Sequence, residues 1–173
     1  MKILKFLFVF ALAASLASCS KDDDSIDTTE TEIMGDWKVT DISYMGTSSS
    51  NVGGVTIDAD FTGTGYDMDL KISFSENPNE YTAEGDYSIM LVTDFQGTPI
   101  ETPWTNVGFI GSGDWVKTDN TLTVTASTGE VQSATISELT DTKMVIEWDF
   151  SQTTTLQGAL VTQNVNGTYT FER

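Results

Sequence analysis

From Ile33 to the end of the chain, apolar and polar residues alternate with a period of two. That is the pattern of strands with one face in a core and the other in water. The cleanest stretch runs from Tyr66 to Phe74, where even positions are apolar or aromatic and odd positions are polar. Val55–Phe61 repeats it, and Met144–Phe150 follows slightly less cleanly. Shorter sets are Tyr87 with Ile89 and Leu91, Leu122 with Val124 and Ala126, and Tyr169 with Phe171. Near the start, Trp37 and Val39 share one parity while Ile42 and Tyr44 share the other. A phase slip of that kind at Thr40-Asp41 predicts a β-bulge.

Turn-forming clusters separate these runs. They are Thr62-Gly63-Thr64-Gly65, Asn77-Pro78-Asn79, Gly111-Ser112-Gly113, Thr128-Gly129, Thr140-Asp141 and Asn166-Gly167. Stretches 46–54 and 92–106 read as loops, the second with some hairpin character. No segment holds a helical period, and none is suited to a crossover helix. Eight to ten short strands joined by short turns predict an all-β, antiparallel up-and-down barrel, with a β-sandwich as the alternative.

The first 32 residues follow a different pattern. Lys2 and Lys5 precede an apolar run from Phe6 to Leu16, which ends in Leu16-Ala17-Ser18-Cys19. A basic start, a short apolar stretch and small residues mark a secretory leader. The run is too short to span a membrane comfortably, since a spanning helix needs about 20 apolar residues. Leu-Ala-Ser-Cys resembles a bacterial lipobox, which implies cleavage before Cys19 and a diacylglyceryl group on its thiol. Ser20-Lys21-Asp22-Asp23-Asp24 resembles the acidic export signal of Bacteroidota-type surface lipoproteins. The expected organisation is a signal peptide (1–18), an acidic tether carrying the lipid on Cys19 (19–32) and one domain (33–173). The resemblances imply a lipid anchor in the outer membrane, with the domain at the cell surface.

Charge narrows the function further. The chain has 26 acidic and 8 basic residues, a formal charge of −18. Lys2 and Lys5 leave with the leader, so −18 becomes −20. Such a field repels nucleic acid and anionic headgroups, so membrane contact is expected only through the lipid. It also favours a soluble monomer. The single cysteine is Cys19, so the domain has no disulfide and its core must hold it alone. There is no histidine, which removes the commonest general base and the usual zinc and copper ligands.

Gly35-Asp36-Trp37 opens the first strand, and a Gly-x-Trp there resembles the lipocalin signature. Gly113–Val124 and Ile136–Ile146 are similar to bacterial lipocalin-like lipoproteins in particular, and the resemblance extends over 33–173. It implies an eight-stranded barrel whose tryptophan packs across the closed end. It also implies an arginine stacked on that tryptophan. The only arginine here is Arg173, which reaches Trp37 if the last strand pairs with the first. The helix that follows the barrel in lipocalins has no counterpart in this sequence.

Three kinds of site are candidates. The barrel lumen is one, with Trp37, Phe61, Met68, Leu70, Phe74 and Trp148 as apolar ligand contacts among the inward positions. A barrel of this size either holds one small ligand or is filled by side chains. Acidic pairing is the second. If Thr62–Gly65 closes a hairpin, Asp60 faces Asp67 and Asp58 faces Asp69, four carboxylates suited to Ca²⁺. Carboxylate catalysis is the third, and nothing marks a protected pair; Glu147 and Asp149 share a face that points outward if Trp148 points inward. The expected function is non-catalytic binding of a small, largely apolar molecule. The alternative is a protein- or glycan-interaction module with a filled barrel, in which an aromatic such as Trp104 stacks on sugar. The Gly108–Gly113 segment reads as a turn, because no helix follows to complete a phosphate cradle.

Overall fold

The computed structural model describes residues 33–52, 54–95, 97–156 and 159–173. The leader, Cys19 and the tether lie outside them. The strands are β1 (Gly35–Val52), β2 (Val55–Tyr66), β3 (Lys71–Ser75), β4 (Glu80–Glu84), β5 (Tyr87–Phe95), β6 (Thr98–Val107), β7 (Gly113–Thr118), β8 (Thr121–Ala126), β9 (Val131–Leu139), β10 (Lys143–Leu156) and β11 (Ala159–Glu172).

Three long strands are each broken in the middle. β2 leads into β3 through Asp67–Leu70, β4 into β5 through Gly85 and Asp86, and β6 into β7 through residues 108–112. β1 pairs with β3 along Gly35–Lys38 and with β2 along Ser43–Val52. The same division continues outward, β4 and β5 pairing with β3 and β2, then β7 and β6 with β4 and β5. With each broken strand counted once, the chain is an antiparallel eight-stranded meander, and β11 closes it on β1. This is the up-and-down barrel the alternation predicts, in the lipocalin-like form that the resemblance implies; closure excludes the sandwich. The predicted bulge is present, with the register shifting between Val39 and Asp41.

The breaks divide the barrel by height. Below them, eight strands close on a packed core. Trp37, Leu70, Ile72, Tyr81, Trp115, Met144 and Phe171 are each at most 1% exposed, and burying a side chain of this kind stabilises by roughly 1.5–3 kcal/mol. Trp37 donates from Nε1 to the Ile33 carbonyl at 2.8 Å. Arg173 sits 4.3 Å from the centre of the Trp37 ring, the stacking that depends on β11 meeting β1. Its guanidinium also donates to the carbonyls of Met34 and Asp141. This end is sealed.

Above the breaks only six strands continue. β10 and β11 are 14 residues each, whereas β8 has 6 and β9 has 9. The upper wall is therefore the curved sheet β10-β11-β1-β2-β5-β6, open along one side between β6 and the upper half of β10. Among the described pairings, β6 joins only β5. Pro99 and Pro103 lie in this edge strand, and proline on an edge discourages pairing with another chain.

Several turn readings are corrected. Thr62–Gly65 lies inside β2, and Asn166-Gly167 lies inside β11. Their glycines serve packing. A Cβ on Gly63 would lie 2.9 Å from Leu91 Cδ2, and one on Gly167 would lie 2.5 Å from Trp148 Cε2. Tyr66–Phe74 is not one strand, because the wall breaks at Asp67, whose φ is +49°. Gly85, at φ +84°, lets the neighbouring strand cross there; a Cβ would meet the Asp69 carbonyl oxygen at 2.2 Å. Stretches 46–54 and 92–106 are largely strand, not loop. They lack clean alternation because the upper wall is solvated on both faces.

Candidate functional site

The register places the inner face of the upper sheet in tiers. The lowest crosses the sheet as Trp148, Gly167, Tyr44, Gly63, Leu91 and Thr102. Above it run Phe150, Val165, Gly46, Phe61, Thr93 and Ile100. Gln152, Gln163, Ser48 and Ala59 follow. Large rings stand beside glycines in the first two tiers. Trp148 lies over Gly167, and a Cβ on Gly46 would meet Phe61 Cζ at 2.5 Å. The rings therefore cover bare backbone, which leaves the middle of the sheet open as a concave wall.

That wall encloses a cup of about 600 Å³, within the usual size of small-molecule sites. Its sides are Phe61, Ile89, Leu91, Trp148, Phe150 and Val165, closed below by Val107, Phe109 and Ile110. Its polar lining residues include Ser48, Thr93, Thr102, Gln132, Gln152 and Gln163. No lining residue is charged, although the chain carries a formal charge of −18. A second hollow of about 640 Å³ lies against the same part of the wall, mostly on its outer face. It is more open and includes the carboxylates of Asp60 and Asp149, so it is the poorer container for an apolar molecule.

Three phenols form the floor of the cup. The Tyr87 hydroxyl lies 3.0 Å from that of Tyr44 and 2.8 Å from that of Tyr169, and the Tyr44 and Tyr169 hydroxyls are in short contact. Burial first, and neighbouring phenols second, push Tyr44 and Tyr169 well above the usual tyrosine range. Both stay neutral at any ordinary pH. Trp148 meets Tyr44 edge to face, with centroids 5.6 Å apart at 80°, and Phe109 meets Tyr169 in the same way at 6.0 Å. The Trp148 indole N–H is buried and has no hydrogen-bond partner.

Of the six apolar contacts read from the sequence, Phe61 and Trp148 line the cup. Trp37, Leu70 and Phe74 belong to the sealed core below, and Met68 packs against that core. The aspartates are not brought together, because the hairpin that would join them does not form. Asp58 and Asp60 lie opposite Ser49 and Thr47, while Asp67 and Asp69 fall in the break after β2. No group of three acidic residues able to hold a metal occurs among the described residues. Glu147 and Asp149 are exposed, and Asp149 accepts a hydrogen bond from Asn166 at 2.7 Å. Sequence reasoning placed Tyr44, Tyr87 and Tyr169 on strands but missed that they converge. Their signal was a tyrosine at an apolar-parity position in each of three strands.

Fold and site together define a lipocalin-like barrel, filled at one end and cupped at the other. Comparison of the chain with protein-family models, with curated proteins and with solved structures finds no match.

Proposed function

We propose that this protein is a lipid-anchored surface lipoprotein whose barrel binds a small, largely apolar molecule without transforming it. The observation that carries this reading is the uncharged cup in an otherwise strongly acidic chain. Apolar walls with a few polar groups are the usual composition of a small-molecule site. The acylated Cys19 would hold the barrel at the outer membrane, and the acidic tether would let the cup reach molecules beyond it.

An uncharged, environment-sensitive dye tests the reading. The protein should bind one dye per chain with a blue-shifted emission, and Leu91→Glu, which puts a charge into the wall, should abolish binding. Dye emission unchanged from water would refute it. Docking of a glycan or protein along the open side of the wall is the second reading, supported by Trp104, which lines the cup and is 54% exposed on the edge strand β6. Under that reading Trp104→Ala would abolish capture of the partner while leaving the dye bound.

A further inference from the structure

The floor of the cup is the most specific chemistry the described residues assemble. Three hydroxyls supply three protons, and three mutual O···O contacts consume them. In that closed ring each oxygen donates once, accepts once and keeps one lone pair. The floor therefore offers acceptors and no spare phenolic proton. The nearest unused donor is the Trp148 N–H, on a ring packed edge to face against Tyr44.

Resting on the reading of the cup as a binding site, we propose that its ligand is a neutral lipophile carrying a hydroxyl, which donates its proton to the tyrosine ring. An alcohol matches the floor because it brings the donor that the ring lacks, whereas the Trp148 N–H is buried against Gly167. An ether or ester brings only acceptors and would face lone pairs. A carboxylate brings a charge and no proton. No lysine or arginine lines the cup to compensate it, and a buried, unpaired carboxylate is strongly disfavoured. Breaking the ring to turn a phenol toward the carboxylate would cost hydrogen bonds inside a desolvated cluster. The raised proton affinity of Tyr44 and Tyr169 supports this, since these phenols cannot ionise to accommodate other chemistry.

The test is a titration of the purified full-length protein with decan-1-ol, its methyl ether and decanoate, each competing against an uncharged dye that has no hydroxyl. An ordinary apolar pocket would favour the ether, the least hydrated of the three. The expected order places the alcohol at least about tenfold tighter than either of the others. Tyr87→Phe leaves two phenols with one contact and so frees one phenolic proton, which should shrink the alcohol's advantage over the ether several-fold; continued ether binding separates loss of the ring from loss of the fold. Ether or decanoate binding as tight as the alcohol would overturn the proposal, as would an alcohol-to-ether preference indifferent to Tyr87→Phe. In either case a bound dye would leave the cup reading standing. Failure of the dye and all three probes would refute both.

Discussion

Raising the pH should unfold this protein through the floor of its cup. Tyr44 and Tyr169 keep their protons in the folded state because burial disfavours the phenolate, while in the unfolded chain both titrate near the ordinary tyrosine value of about 10. Their contribution is fully present below that value and is lost as the pH rises above it, since the unfolded state then releases protons that the folded state retains. The slope is roughly 1.4 kcal/mol per pH unit for each phenol. Two phenols over about two pH units remove roughly 5 kcal/mol, comparable to the entire stability of a modestly stable domain. Tyrosinate absorbance and near-UV circular dichroism should be followed together on one titration. Of the five tyrosines, at least two should ionise only as the dichroism signal collapses. Tyr169→Phe should reduce the steepness of the alkaline loss by about half. Ionisation of all five at an ordinary value, with the dichroism of the folded state intact, would refute the reasoning.

Gly167→Ala should force the Trp148 ring off the floor, because the new methyl would lie 2.5 Å from the indole. A cost of about 1–3 kcal/mol is expected from thermal melts, together with a changed tryptophan emission. Arg173→Ala removes the stacking on Trp37 and two hydrogen bonds to backbone carbonyls. It should lower stability by roughly 1–2 kcal/mol in urea melts without weakening dye binding. Glu138→Gln breaks an ion pair whose partners are each 40% exposed, and it should change stability by less than about 1 kcal/mol. Replacing Pro99 and Pro103 together with threonine removes two residues that guard the β6 edge, and sedimentation should then show more concentration-dependent association than in the parent chain.

The lower barrel was legible in the sequence because each of its strands has one face in the core and one in water. Trp37, Val39, Leu70, Ile72 and Phe74 announce that core by parity alone, and the slip at Thr40 announces the bulge. The upper wall was not legible in the same way. Its inner face is half solvated, so Ile57 and Phe150 are 40% and 43% exposed although they share the inward parity, and polar residues occupy neighbouring inward positions. Local turn chemistry misled at Gly63, Gly65 and Gly167, where small size serves a ring or a branched side chain from the neighbouring strand. Such a demand is set by tertiary packing and leaves no local mark. The aspartate pairing failed for the same reason, because it was built on a hairpin at those glycines. The tyrosine floor depends on three strands meeting, β1, β5 and β11, and only the closed topology brings them together.

Native mass spectrometry of the secreted protein, purified without detergent and then extracted with solvent, tests the central claim most directly. The account predicts one small, uncharged lipophile per chain, carried by the parent protein and absent from Leu91→Glu. A bare chain mass that stays bare after incubation with uncharged lipophiles would contradict it.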